Sequence, residues 1–185
     1  SNVITLTDAN KNVEIFTDNQ PICFNTNASI IASTQDANTY TWTGPNNFSS
    51  IGANLLINNF SSLNNGSYTI TAATAECGVA TKSIVLNSEQ VFANFTSIQT
   101  GCIQDSVYFN TPSISGARWN WNFKNGTTLD TNSAIIKPIK YNTAGTYAVD
   151  LKVISKNGCI SDIYTKNIEI TTKPNAGFST STITC

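Results

Sequence analysis

The chain has 185 residues, no His, and 10 Lys and Arg against 11 Asp and Glu, which gives a net charge of −1 at pH 7. This balance, without a basic cluster, argues against nucleic acid or an anionic membrane surface as a partner. No stretch approaches the ~20 apolar residues of a membrane span, so we expect no membrane insertion. Thr (26), Asn (25) and Ser (19) supply most of the polarity, which favours strands and turns over helices.

In chain order, the first predicted element is a short β-forming run at residues 1–8, which reads as the closing strand of a preceding repeat. A complete unit follows at 9–88. In it Tyr40 and Trp42 share one face of a strand, and Tyr68, Ile70 and Ala72 alternate with polar residues. Such alternation predicts strands with one buried face.

A second complete unit is predicted at 89–172. Trp119, Trp121 and Phe123 alternate with polar residues and run into the turn signal Asn125-Gly126. We place its strands near 91–98, 105–111, 117–123, 127–130, 134–140, 145–155 and 160–170. A short linker around Ser88–Val91 is expected to join the two units.

The two units repeat the same landmarks at a constant spacing. A shift of 79 residues superposes Cys, Trp and Tyr in both without a gap: Cys23, Trp42 and Tyr68 on Cys102, Trp121 and Tyr147. A Phe also precedes a Cys by seven residues three times, and the third case, Phe178 and Cys185, marks residues 173–185 as the start of a following repeat.

A Trp on a middle strand and a Gly-x-Tyr leading into a late strand are typical of an immunoglobulin-like sandwich. The core landmarks are therefore Trp42, Tyr68, Trp121 and Tyr147. The predicted fold is all-β, with two tandem immunoglobulin-like β-sandwich domains.

Five cysteines at repeated positions, with no Cys-x-x-Cys, predict disulfides and not a metal site. We predict the pairs Cys23–Cys77 and Cys102–Cys159, with Cys185 left unpaired within this chain. Each bond would close a loop of over 50 residues, worth roughly 4 kcal/mol in the chain-entropy model. Disulfides favour an extracellular setting.

The second unit resembles the PKD (polycystic kidney disease) domain family. The resemblance rests on Trp121-Asn122-Phe123-Lys124-Asn125-Gly126, on Pro138 and Tyr141, and on the run from Ala144 to Val153. Asn122 and Asn125 stand where the family pattern has acids, which puts a cation-binding role of this turn in doubt. The first unit is similar to immunoglobulin-like modules found beside PKD domains.

Such mixed arrays occur in large secreted surface proteins of Bacteroidota, including gliding-motility adhesins of the SprB type. The resemblance implies a non-enzymatic adhesin segment at the outer cell surface, exported by type IX secretion. It would act as a disulfide-stapled stalk or spacer and as a surface-contact module. The alternatives are an accessory module of a secreted hydrolase and a carbohydrate-binding module. Implied partners are neighbouring repeats, surface polysaccharide and other cell-surface proteins.

No catalytic residue is predicted, because without His no hydroxyl nucleophile has an imidazole base. We interpret the acids Asp105, Asp130, Asp150 and Asp162 as solvated surface residues. No cofactor or metal is expected, although calcium stays open near the unit boundaries, at Asp8, Asp18 and Glu89. Phe48 and Phe60 lie in less regular stretches of the first unit, where we expect them to be exposed, and they are the candidate glycan contacts.

Overall fold

A computed structural model of the chain describes residues 13–17, 20–34, 37–74, 78–125, 127–177 and 179. The chain divides into two compact units, Ser1–Gln90 and Val91–Cys185. The predicted boundary between residues 88 and 89 lies two positions before this division. The predicted closing strand at 1–8 lies outside the described residues.

Unit 1 consists of nine strands and two short 3-10 turns among its described residues. The strands are β1 (Glu14–Thr17), β2 (Ile22–Cys23), β3 (Ala28–Ser33), β4 (Ala37–Thr43), β5 (Ser49–Ile51), β6 (Asn54–Ile57), β7 (Gly66–Thr74), β8 (Gly78–Leu86) and β9 (Ser88–Glu89). One sheet has the order β1-β3-β6 and another β5-β4-β7-β8, while β2 pairs with β9. Ser88 and Glu89 therefore belong to a strand of unit 1, where the sequence predicted a linker.

The core of unit 1 lies between these sheets because alternate residues on each strand are apolar. Ile30 on β3, Leu55 on β6, and Trp42 and Ile70 on β4 and β7 are all almost fully buried. Trp42 and Ile70 are direct neighbours across β4 and β7. Burial of one face of each layer gives the two-layer sandwich.

Unit 2 contains one continuous sheet of five strands in its described residues. The strands are β10 (Thr100–Cys102), β11 (Arg118–Asn122), β12 (Thr128–Thr131), β13 (Gly145–Ile154) and β14 (Tyr164–Thr171), in the order β10-β14-β13-β11-β12. Its inner face carries Trp119, Trp121, Leu151 and Ile168.

The opposite layer of unit 2 is less regular than predicted. The strands expected at 91–98, 105–111 and 134–140 are joined only by isolated bridges, such as Thr96 with Asn110 and Val107 with Ile139. Pro112 and Pro138 interrupt this layer and lack the N–H that a continuous ladder needs. The layer still fills the core, since Phe95, Val107 and Phe109 are buried.

The two units use equivalent elements at the predicted spacing of 79 residues. The pairs β2 and β10, β5 and β12, and β7 and β13 occupy matching positions in the repeat. Both units are immunoglobulin-like β-sandwiches. No helix among the described residues is long and apolar enough to cross a membrane.

Candidate functional site

Three acidic side chains of unit 2, Asp105, Asp130 and Asp150, form separate ion pairs. Asp130 pairs with Arg118 across β11 and β12. Asp105 lies 2.9 Å from Lys173 Nζ, and this carboxylate raises the pKa of Lys173 through a hydrogen bond and charge attraction. The pairs have charged side chains that are 44–57% exposed. Pairs this exposed contribute little to stability.

Asp150 has the most crowded surroundings of these acids. Its carboxylate lies 2.8 Å from Lys124 Nζ and accepts a hydrogen bond of 2.7 Å from Thr165 Oγ1. The hydrogen bond from Lys124, then that from Thr165, lowers the pKa of Asp150. A carboxylate held in its ionised form in this way is a poor proton carrier near neutral pH.

A hollow lies beside Asp150 on the outer face of the five-stranded sheet. It has a volume of about 180 Å³ and is lined by Asn120, Asn122, Asp150, Leu151, Lys152 and Ile163. Strands β11 and β13 are adjacent, with Asn120 directly opposite Lys152, so alternate outward positions present amides and charges together. Polar groups of this kind can hydrogen-bond to a hydroxyl-rich ligand.

The turn that follows β11 uses its amides for its own backbone. Asn122 Oδ1 accepts from the Lys124 N–H at 3.0 Å, and Asn125 Oδ1 accepts from the Thr127 N–H at 3.0 Å. Asn125 Nδ2 also donates to the Lys140 carbonyl oxygen at 3.1 Å. Because these side chains brace the turn, they serve a structural role at the positions where the PKD pattern has acids.

In the described part of the chain, no three His, Cys, Asp or Glu side chains lie close enough together to hold calcium or another metal ion. Glu89 lies on β9, opposite Cys23. Asp8 and Asp18, the other two acids considered for calcium, lie outside the described residues.

The aromatic landmarks are core residues. Trp42 and Trp121 are fully buried, Tyr68 is 1% exposed and Tyr147 is half-buried. Trp121 lies within 5.6 Å, centroid to centroid, of three Phe rings: Phe95, Phe109 and Phe123. Packing among these rings leaves their faces unavailable to a sugar.

The two candidate glycan contacts differ in position. Phe60 is fully buried, which contradicts the prediction that it is exposed. Its backbone N–H donates to the Thr26 carbonyl, and its own carbonyl accepts from Asn25, so the chain is held inward at this residue. Phe48 is half-buried and packs edge-on against Tyr68, with ring centroids 5.5 Å apart.

The cysteines of unit 2 do not form the predicted Cys102–Cys159 pair. Cys102 is a free thiol, whereas Cys23 and Cys159 are both disulfide-bonded. The reason is the register of β10 on β14, which places Cys102 beside Thr171, at the far end of β14 from the hairpin that contains Cys159. Tyr164 and Thr171 are seven steps apart on that strand, or roughly 23 Å, and a disulfide spans less than about 7 Å between Cα atoms. Cys77 and Cys185 lie outside the described residues.

A parallel strand pair, which the sequence did not predict, joins the beginning and the end of each unit. In unit 1, β2 runs parallel to β9, and Phe24 N–H donates to the Glu89 carbonyl at 2.8 Å. In unit 2, β10 runs parallel to β14, and Ile103 N–H donates to the Thr171 carbonyl at 2.9 Å. The only sequence signal was the equivalent placement of Cys23 and Cys102.

Residues 95–166 match the PKD domain family. This segment lies within unit 2 and includes β10 to β13 and the first residues of β14. The comparison with curated proteins gave no match.

Several solved structures are similar at low sequence identity. The three N-terminal domains of the Highly Immunogenic Outer Capsid protein of bacteriophage RB49 align over 88% of this chain, at 16% identity and a TM-score of 0.48. The chain spans 59% of that structure. Murine CEACAM1b aligns over 86% of this chain and 100% of its own, at 18% identity and a TM-score of 0.42. The fibronectin(III)-like modules of Clostridium thermocellum CbhA align over 90% of this chain and 100% of their own, at 8% identity and a TM-score of 0.41.

Proposed function

We propose that this chain is a non-enzymatic mechanical spacer within a large adhesin of the gliding-motility or attachment type, located at the outer cell surface. In this role the units hold a fixed length of chain under tension between the cell and whatever the adhesin contacts. The PKD match and the disulfide-bonded cysteines support an extracellular module.

The observation that carries the proposal is the parallel strand pair at the ends of each unit. The first strand of each pair lies near the place where the chain comes into the unit, and the second lies near the place where it leaves. In parallel strands, a pull on the first toward its N-terminus and on the second toward its C-terminus slides them in opposite directions.

Sliding loads all hydrogen bonds of the pair at once, whereas pulling the strands sideways breaks them one after another. In unit 2 the loaded bonds include Glu169 N–H to the Gln99 carbonyl at 2.8 Å and Ile103 N–H to the Thr171 carbonyl at 2.9 Å. Unit 1 has the counterparts Ile22 N–H to Asn87 at 2.9 Å and Phe24 N–H to Glu89 at 2.8 Å. Each unit is therefore built to resist stretching along the chain.

Single-molecule stretching of the whole chain in reducing buffer tests this proposal, because disulfides then carry no load. Ile103→Pro removes the N–H that bonds to Thr171 and should lower the unfolding force of one unit only. Ile103→Ala is the matched control, since it truncates the side chain and keeps the N–H. Equal unfolding forces for the Pro and Ala variants would contradict the proposal.

The hollow beside Asp150 favours a second candidate, a carbohydrate-binding module, which could also serve as an accessory module of a secreted hydrolase. This candidate predicts saturable binding of the chain to members of a glycan panel. It also predicts loss of that binding in Asn120→Ala/Lys152→Ala, and retention in the control Phe48→Ala, whose ring packs on Tyr68. Binding that is lost only on Phe48→Ala would move the site to unit 1. If the chain binds no member of the panel, this second candidate is wrong and the spacer role is the remaining proposal.

A further inference from the structure

Strand β8 leaves one edge of unit 1 open to pairing. It is the last strand in the order β5-β4-β7-β8, and in the described part of the chain no strand pairs with it on the side away from β7. At nine residues, Gly78–Leu86, β8 is long for a strand at the edge of a sheet. An exposed edge of this kind can pair with a further strand.

The hydrogen bonds just beyond β8 show which of its residues direct their backbone groups outward. The Ser88 N–H donates to Asn65 Oδ1, on the β7 side, at 2.6 Å. The Asn87 carbonyl, one residue earlier, accepts from the Ile22 N–H at 2.9 Å on the opposite side. Because these directions alternate along a strand, the outward residues of β8 are Val79, Thr81, Ser83 and Val85.

Most of these outward groups are available to a partner. The outward N–H and C=O groups of Thr81 and Ser83 have no partner among the described residues. The Val85 carbonyl accepts from the Gln20 side chain, at a distance of 3.4 Å. That bond is long, so it is easily replaced by a backbone donor.

The side chains of these four residues form a pattern that is symmetric about Lys82. Val79 and Val85, three positions to either side, are 64% and 57% exposed. Thr81 and Ser83, one position to either side, are exposed hydroxyl residues. In an antiparallel pair of two β8 strands centred on Lys82, Val79 of each copy faces Val85 of the other, and Thr81 faces Ser83.

This register also matches the backbone groups of the two strands. Each facing pair of outward residues exchanges two hydrogen bonds, so the four facing pairs supply about eight bonds between the copies. All nine residues of β8 overlap with their counterparts. A shift by one residue would place outward groups opposite inward ones, and the bonds would be lost.

Lys82 opposes this pairing, because a lysine in an edge strand normally keeps other strands away. Its side chain lies on the inner side of the sheet, with Nζ 3.3 Å from Glu14 Oε2. Each copy therefore brings a carboxylate for its own ammonium group. Two lysines and two glutamates leave no net charge at the centre of the contact.

We propose that two copies of this chain associate through β8, in the antiparallel register centred on Lys82, so that their four-stranded sheets form one continuous sheet. The contact is the same patch on both copies, as a two-fold dimer requires. A single strand pair is a small interface, for which we expect a dissociation constant on the order of 10–100 μM. This association is independent of the spacer role, since it rests on the edge of β8 alone.

Analytical ultracentrifugation of the whole chain tests the proposal. The free thiols are alkylated beforehand, so that no disulfide forms between molecules. The expected result is a reversible equilibrium in which the dimer fraction rises with concentration. A chain that stays monomeric up to about 1 mM would overturn the proposal.

A pair of charge variants tests the strand and its register. Thr81→Lys/Ser83→Lys places lysine opposite lysine in both central pairs and should weaken dimerisation about tenfold. Thr81→Lys/Ser83→Glu places lysine opposite glutamate and should restore it. Both variants lose the 2.7 Å contact between the Ser83 and Thr69 hydroxyl groups, so this loss cancels in the comparison. Equal dimerisation of the two variants would overturn the proposed register.

Thr41→Lys/Thr43→Lys is the matched control. These two residues lie on the same face of the same sheet, with the same spacing, but on β4, which has β5 and β7 on its two sides. The control should dimerise like the parent chain, and thermal unfolding should show that unit 1 stays folded in all three variants. A loss of dimerisation in the control as large as in Thr81→Lys/Ser83→Lys would show that β8 is not the contact.

Discussion

The Tyr147 hydroxyl donates a hydrogen bond of 2.9 Å to the backbone carbonyl of Thr143, four residues upstream. Tyr68 does the same to Asn64 at 2.8 Å. Each tyrosine lies on the strand that follows its acceptor, so the bond ties the approach of that strand to the strand itself. This is the tyrosine corner of immunoglobulin-like domains, formed once in each unit.

Removing the hydroxyl should destabilise only the unit that carries it. Tyr68→Phe leaves the Asn64 carbonyl without this donor and should lower the free energy of unfolding of unit 1 by about 1 kcal/mol. Tyr147→Phe should have a similar or smaller effect in unit 2, because its ring is less buried. Urea unfolding measures both, and Tyr108→Phe, at a side chain that is 62% exposed, is the control. A change in Tyr108→Phe as large as in Tyr68→Phe would contradict the assignment.

Gly66 begins β7 in a conformation that other residues adopt with strain, with φ of 145°. A Cβ added there would also lie 2.6 Å from Pro45 Cγ. Gly66→Ala should therefore destabilise unit 1 by about 1–3 kcal/mol, through backbone strain and displacement of the proline ring.

Gly52→Ala is the matched control for this substitution, because Gly52 also lies in unit 1 with a positive φ, of 103°, and an added Cβ there meets no atom within 4 Å. The thermal transition of unit 1 should fall further in Gly66→Ala than in the control, which has the backbone strain without the contact to Pro45. Equal transitions in the two variants would show that the Pro45 contact gives way freely.

Tyr141 makes the stability of unit 2 sensitive to alkaline pH. Burial, with a further contribution from Tyr147, raises the pKa of Tyr141 to about 12 from an ordinary value of 10.0. The unfolded chain then ionises at a lower pH than the folded unit, so the stabilisation is complete below pH 10 and is lost as pH rises toward 12. The loss should reach about 2–3 kcal/mol.

Urea unfolding of unit 2 across this pH range, followed by the fluorescence of Trp119 and Trp121, measures this loss. Tyr141→Phe should flatten the pH dependence, at a cost of about 1 kcal/mol at neutral pH from the lost 3.3 Å bond to the Phe123 carbonyl. A variant as pH-sensitive as the parent chain would assign the effect to other groups.

The repeat made much of the fold predictable. Cys, Trp and Tyr at a constant spacing identify equivalent strands, since each of these residues lies at the same place in the strand order of its unit. The spacing does not determine the register in which neighbouring strands pair. Trp42 lies opposite Ile70, whereas Trp121 lies opposite Leu151, two positions further than the spacing implies. A register shift of two residues keeps every side chain on the same face of the sheet, so the hydrophobic pattern of the sequence cannot reveal it.

The cysteine pairing and the parallel strand pairs depend on long-range contacts that no local pattern encodes. Cys23 and Cys102 lie on short strands of two and three residues, which are too short to show an alternation. Phe60 was misplaced for a related reason. Its stretch is irregular, and only the backbone bonds to Thr26 and Asn25 turn its ring into the core.

The most direct test of the spacer role compares two directions of pulling on unit 2 within the whole chain, in reducing buffer. Handles at the chain ends slide β10 along β14, whereas handles at Thr100 and Glu169, which lie opposite each other on these strands, draw the pair apart sideways. The parallel pair predicts a clearly higher unfolding force for the end-to-end pull. Equal forces in the two directions would mean that the strand pair does not resist tension, and the mechanical role would be wrong.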